Sequence, residues 1–341
     1  MATSRSSKWI ASTVTLLLAA CAAAVISVSI RPEASAAQAG KSWLLVLNKS
    51  DNTMAIIDPA TFNTVALVPT GEAPHEVAAS ADGQLAFVAN YGTAPKPGNT
   101  ISVIDVASRK ELRRVDLGPL ARPHGITESG GKVFFTAEGS RAVARYDPVA
   151  NRVDWISGTG QTGTHMVVAS RDGKKLYTAN RGSDTVTAIE LEGASPKITH
   201  IGVGKAPEGI AISPDGNEVW VGHNEDGGLS IVDTTTNKVK ETIKAGRVPI
   251  RVRFTPDGLR VLVSDSQGGE VVVFDARTRK EIKRIPVPDT PVGILIPPDG
   301  RRAFVAATRG NKVVVIDLEK LAVMGTIQTG QVPDGMAWAG K

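Results

Sequence analysis

Seven times in this sequence an acidic residue ends an alternating strand: AIIDP at Asp58, SVIDV at Asp105, ARYDP at Asp147, TAIEL at Glu190, SIVDT at Asp233, VVFDA at Asp275 and VVIDL at Asp317. The intervals are 47, 42, 43, 43, 42 and 42 residues. Self-similarity at this period is the mark of a repeat architecture, and its length suits a four-stranded propeller blade of roughly 40–50 residues. Each period reads alike. A strand opens at a proline, as in Gly209–Ser213 after Pro207. A turn such as Ser213-Pro214-Asp215-Gly216 follows, with proline pre-setting φ and glycine taking the left-handed position. Three more strands complete the unit, the third ending at the acidic mark, whose carboxylate is expected to cap the next turn. No long window shows a helical period.

The two ends complete the count. Trp43–Leu47 reads as a second strand with no first before it, and Asp334–Ala339 as a first strand with no second after it. Joined, they make a seventh blade and remove an exposed sheet edge. The expected fold is all-β: a seven-bladed β-propeller over residues 37–341, closed by pairing of its N- and C-terminal strands in one blade. Gly340-Lys341 should lie beside Gly40-Lys41. The 34 glycines and 20 prolines punctuate such a chain.

Residues 1–36 read as a targeting segment. Arg5 and Lys8 precede an uncharged run from Trp9 to Ile30. Ala34-Ser35-Ala36 fits a cleavage site for a signal peptide, Leu18-Ala19-Ala20-Cys21 resembles a lipobox, and the run is also long enough for an uncleaved membrane anchor. All three imply an extracytoplasmic (periplasmic or secreted) domain, with any membrane attachment confined to this segment. Cys21 is the only cysteine, so the folded part has neither disulfide nor thiol ligand. The formal charge is +5, too small to argue for nucleic acid. A monomeric domain is expected.

Phe87-Val88-Ala89-Asn90 and Tyr177-Thr178-Ala179-Asn180, with the SPDG-type turns and the VIDV and VIDL strands, resemble the YVTN-type β-propeller repeat family. The resemblance covers roughly residues 41–341. It implies an extracytoplasmic seven-bladed propeller whose ligands bind at one axial face. It does not imply a chemistry, because propellers serve unrelated functions.

The residue after each blade-opening proline (or after Thr164) reads His75, His124, His165, Glu208, Ile250, Val292 and Asp334. The ring closes, so Asp334, His75, His124, His165 and Glu208 form one arc of metal-ligand or acid/base types. A second ring is expected at the ends of the second strands: Asn48, Asn90, Glu138, Asn180, His223, Asp265 and Thr308. Three readings of this mouth stay open. His75, His124, His165 and Asp334 suit a divalent transition metal such as Zn, Cu, Ni or Fe. Glu208, Glu138 and His223 are candidate catalytic groups for a lyase, hydrolase or oxidase. Arg251, Asn90, Asn180 and Tyr91 are candidates for holding a small-molecule ligand or a protein partner. Histidines copied passively by blade duplication are the bland alternative. Arg251 is also expected to pair with Glu208. A nucleic-acid groove would add stacking aromatics, and Tyr91 alone is placed for that. Two segments exceed their repeat equivalents, Tyr91–Asn99 and Gly118–Pro123, both beside His75 and His124. Long loops at one face often carry function.

Overall fold

The computed structural model describes residues 41–193 and 195–340. Residues 1–36, expected from the sequence to be a targeting segment, lie outside the described residues. Among the described residues no helix is long and apolar enough to cross a membrane.

Seven four-stranded antiparallel sheets are arranged in sequence order. We number the blades I (residues 74–116), II (123–158), III (164–202), IV (207–244), V (249–286), VI (291–328) and VII (333–339 with 43–69). Blade VII takes its inner strand, Pro333–Ala339, from the C-terminus and its other three from the N-terminus. Trp43 pairs with Ala339, Leu44 with Trp338 and Leu45 with Ala337. The core lies between blades. Phe87 of blade I packs with Phe135 and Tyr146 of blade II, and Tyr177 of blade III with Ile210 and Val219 of blade IV. The two middle strands of each blade are apolar on both faces because both faces are covered; outer strands such as Lys238–Lys244 are largely exposed.

The acidic marks act as expected, with one exception. Asp58, Asp105, Asp147, Asp233, Asp275 and Asp317 each accept an N–H two or three residues ahead, at 2.6–2.9 Å for the shortest bond of each. Glu190 has one methylene too many for this turn and takes the Lys197 ammonium at 3.2 Å.

Every inner strand carries a β-bulge at the same place. The register between first and second strands slips just after Pro74, Pro123, Thr164, Pro207, Pro249, Pro291 and Pro333. A bulge leaves one residue out of the ladder and re-aims its side chain. That residue follows the proline, so the seven bulges turn the first predicted ring toward the axis. The two long segments meet. Tyr91–Asn99 extends the blade I hairpin, with Gly92 paired to Pro97. Arg122, in the second segment, donates to the Thr93 and Ala94 carbonyls at 3.2 and 3.3 Å and clamps the hairpin tip.

Candidate functional site

The bulged residues form a continuous chain of contacts across the mouth. Lys49 Nζ lies 3.2 Å from Asp334 Oδ2, which lies 3.6 Å from His75 Nδ1. His75 Nδ1 is 3.0 Å from His124 Nε2. The His124 ring overlies that of His165, with centroids 3.7 Å apart and planes inclined by 32°. His165 then bridges two carboxylates: Nε2 to Glu208 Oε1 at 2.9 Å and Nδ1 to Glu138 Oε2 at 3.3 Å. Tyr91 packs on His75, centroids 4.5 Å apart, and donates its hydroxyl to Glu138 Oε2 at 3.0 Å. Arg181 Nε and Asn224 Nδ2 hold Glu208 Oε2 at 2.7 and 3.0 Å.

The three imidazoles are not alike. Burial pushes His75 down to about 4, against the opposing charge of Asp334. Burial also takes His124 well below its ordinary value, reinforced by the charge of His165. For His165 burial works the same way but is outweighed by Glu208 and Glu138, which raise it to about 9. Burial opposes the ionisation of Glu208, yet His165 and Arg181 bring it down to about 2. Near neutrality the mouth therefore holds two neutral imidazoles beside an imidazolium clamped between carboxylates. His124 Nδ1 is buried without a hydrogen-bond partner, and so is Asn224 Oδ1.

A family model described as a YNCE-like β-propeller matches residues 2–340. The chain belongs to this YNCE-like family. None of the curated proteins compared matches it. Among solved structures, the YNCE-like chain is similar to hydrazine synthase of Kuenenia stuttgartiensis, with 20% identity, a TM-score of 0.71, and 81% of this chain and 92% of that chain covered. It is similar to a protein of unknown function from Desulfotomaculum acetoxidans, with 14% identity, a TM-score of 0.73, and 87% and 98% covered. A Bacteroides uniformis protein whose name proposes a 6-phosphogluconolactonase is 14% identical, with a TM-score of 0.71 and 87% and 99% covered. At these identities the likeness shows the fold.

In five blades of this YNCE-like propeller the second ring differs from expectation by one residue, whereas Glu138 and Thr308 stand as expected. The strand residues opposite the prolines are Asn48, Asn90, Ala137, Asn180, His223, Asp265 and Ala307. Asn48, Asn90, His223 and Asp265 each accept an N–H from the loop arriving from the preceding blade. Asn90 Oδ1 accepts Gly71 N–H at 3.0 Å, while its amide donates to Thr100 and Ser102. Asn180 is held by Thr178, Thr185 and Thr187. His223 accepts Gly204 N–H at 3.3 Å and meets Asp226 at 3.1 Å. These three spend their hydrogen bonds in the scaffold. Residues one position later face the mouth, because consecutive strand residues point to opposite sides. They are Lys49, Tyr91, Glu138, Arg181, Asn224, Ser266 and Thr308, and each donates its backbone N–H to the carbonyl preceding the blade-opening residue. Glu138 and Tyr91 were placed at the mouth correctly, but Lys49, Arg181 and Asn224 were missed. The Gly-x-x-Pro motif at Gly71, Gly204, Gly246 and Gly330 is the sequence signal for the inward-turned position: a Cβ on any of these glycines would strike Asn90, His223, Asp265 or Asn48.

Arg251 also differs from expectation. It does not pair with Glu208. It crosses the axis to Glu76 in blade I, with both side chains buried, and its other arm lies 3.4 Å from Met166 Sδ. Glu76 and Arg251 both stand two residues after a proline, where blades II, IV, VI and VII carry Gly125, Gly209, Gly293 and Gly335. As for a metal, both nitrogens of His165 face carboxylates. Among the described residues no three His, Cys, Asp or Glu side chains stand ready around a common point.

Proposed function

We propose that this protein is an extracytoplasmic binding protein whose mouth, floored by His75, His124 and His165 and rimmed by Tyr91, Arg181 and Lys49, takes a small polar molecule. The observation that carries this reading is the partnerless His124 Nδ1. A buried polar atom without a partner costs about 1–3 kcal/mol, and two of the three such atoms among the described residues, His124 Nδ1 and Asn224 Oδ1, belong to this one mouth. A ligand donating to one and accepting from the other would relieve both. Binding is favoured over acid/base catalysis because the ring's titrating groups lie far from neutrality: His75 near 4, His165 near 9 and Glu208 near 2. The extracytoplasmic placement rests on the N-terminal segment.

A second reading has one observation of its own. His75 Nδ1, His124 Nε2 and Asp334 Oδ2 are neighbours, at 3.0 and 3.6 Å from the first to the others. Two neutral imidazoles and a carboxylate suit Zn, Cu or Ni. Nitrogens sharing a tetrahedral zinc stand about 3.4 Å apart, so a modest spreading of the pair would admit an ion. His165 is outside that set.

One experiment separates them. Untagged protein is examined by native mass spectrometry and then titrated with Zn²⁺, Cu²⁺ and Ni²⁺, alongside His124→Ala. A co-purifying small mass absent from the variant supports the first reading. A metal bound tightly by the wild type and not by the variant supports the second. Bare protein with no metal binding in either form overturns both.

A further inference from the structure

We propose that the axial channel holds a second binding site, on the far side of the Arg251–Glu76 bar from the histidines, and that it takes a small organic carboxylate on Arg253. Inner strands run from the mouth toward the turns joining first and second strands. Two residues beyond Arg251, on the same side of the strand, Arg253 therefore lies deeper along the axis. A cavity of about 320 Å³ occupies this end of the channel. Glu76 and Met166 border it on the side of the bar, and Pro214 and Pro256 belong to the turns at its other end. The size is at the lower bound for ligand pockets and suits a molecule of a few non-hydrogen atoms.

The wall is built for an acid with an apolar body. Val77, Ile126, Val168 and Ala211 supply apolar surface, and Thr127 and Thr255 add hydroxyls. Arg253 is half-buried, and among the described residues its guanidinium makes one hydrogen bond, from Nη1 to the adjacent Val252 carbonyl at 3.2 Å. Among the described residues no carboxylate pairs with it. Glu76, the acid in this wall, is already committed to Arg251. Arg251 and Glu76 are the charged groups that act on Arg253, and Glu76 is spent on Arg251, which Asp334 and Glu208 also face from the mouth. Burial and the charge of Arg251 bring Arg253 down to about 10, the direction expected of a cation short of counter-charge. A guanidinium fork binds a carboxylate bidentately, and a monocarboxylate would give Arg253 the counter-charge it lacks. The site shares no ligand group with the histidine mouth.

The test uses butyrate and benzoate as probes, with butyramide and benzamide as neutral isosteres. Binding is followed by the shift of the Arg253 Nε–H resonance and by melting temperature, in wild type, Arg253→Met, Arg253→Lys and His124→Ala. At least one acid should bind the wild type and His124→Ala alike, at least tenfold more tightly than its amide. Affinity should fall at least tenfold in Arg253→Met and partly recover in Arg253→Lys. Circular dichroism checks that the variants fold; should Arg253→Met fail, the resonance shift and the acid-to-amide ratio in wild type still decide. Equal binding of acid and amide, equal binding to Arg253→Met, or no movement of the Arg253 resonance with either acid overturns the proposal. Loss of probe binding in His124→Ala would move the site to the mouth and overturn it too.

Discussion

Glu208→Gln tests the electrostatics of the mouth most directly, because it removes one charge and keeps the shape. His165 titrates at about 9 against an ordinary 6.5. Burial works against this rise; Glu208 is the largest influence in its favour, followed by Glu138. A rise of roughly 2.5 units is worth about 3 kcal/mol, at 1.36 kcal/mol per unit. The folded value lies above the unfolded one. The contribution is therefore whole below pH 6.5 and drains away as pH climbs through about 9, with a slope approaching 1.4 kcal/mol per pH unit. In the variant, burial faces Glu138 alone. His165 should then titrate at or below 6.5, and the alkaline slope should vanish. Imidazole NMR resonances followed from pH 5 to 10, with chemical denaturation at matched pH values, read both quantities. A wild-type His165 that titrates at or below 6.5 refutes the reasoning, as does a variant that still titrates near 9.

Two further outcomes follow from the scaffold. Gly204→Ala would set a methyl 2.0 Å from His223 Nδ1 and 2.4 Å from Asp226 Oδ2, so thermal denaturation should show a loss of about 1–3 kcal/mol; a change below about 0.5 kcal/mol would mean that the loop yields freely. Arg251→Met or Glu76→Gln alone strands a buried charge or its partner and should cost about 3–5 kcal/mol, whereas the double variant should cost much less than the sum; additive losses in a double-mutant cycle would show that the bar is not a coupled pair.

The ring of blades was legible because one acidic residue per period marks the register, and the strand patterns between the marks repeat closely. The inner ring was legible too, since a proline opens six of the seven inner strands and the residue after it is bulged toward the axis. The second ring was misjudged by one position in five blades, Glu138 and Thr308 being the exceptions. Counting from Asn90 and Asn180 is natural, because both end apolar runs and look like exits from the strand. Whether such an asparagine faces the axis or the adjoining loop depends on strand alternation across the bulge, which pairing reveals and composition does not. Glu76 and Arg251 were not linked because 175 positions separate them in sequence, and only closure of the ring brings blade V opposite blade I. The charge on His165 was equally out of reach: it depends on two carboxylates from different blades flanking one imidazole.

The bar formed by Glu76 and Arg251 makes this propeller two cups set base to base, with a shared floor. A solute reaching the histidines has this floor before it. The floor is not electrically inert. Arg251 is felt by Glu208 on one side and by Arg253 on the other. If the two cups take the ligands proposed for them, charge neutralised in one changes the affinity of the other, and by linkage equally in both directions.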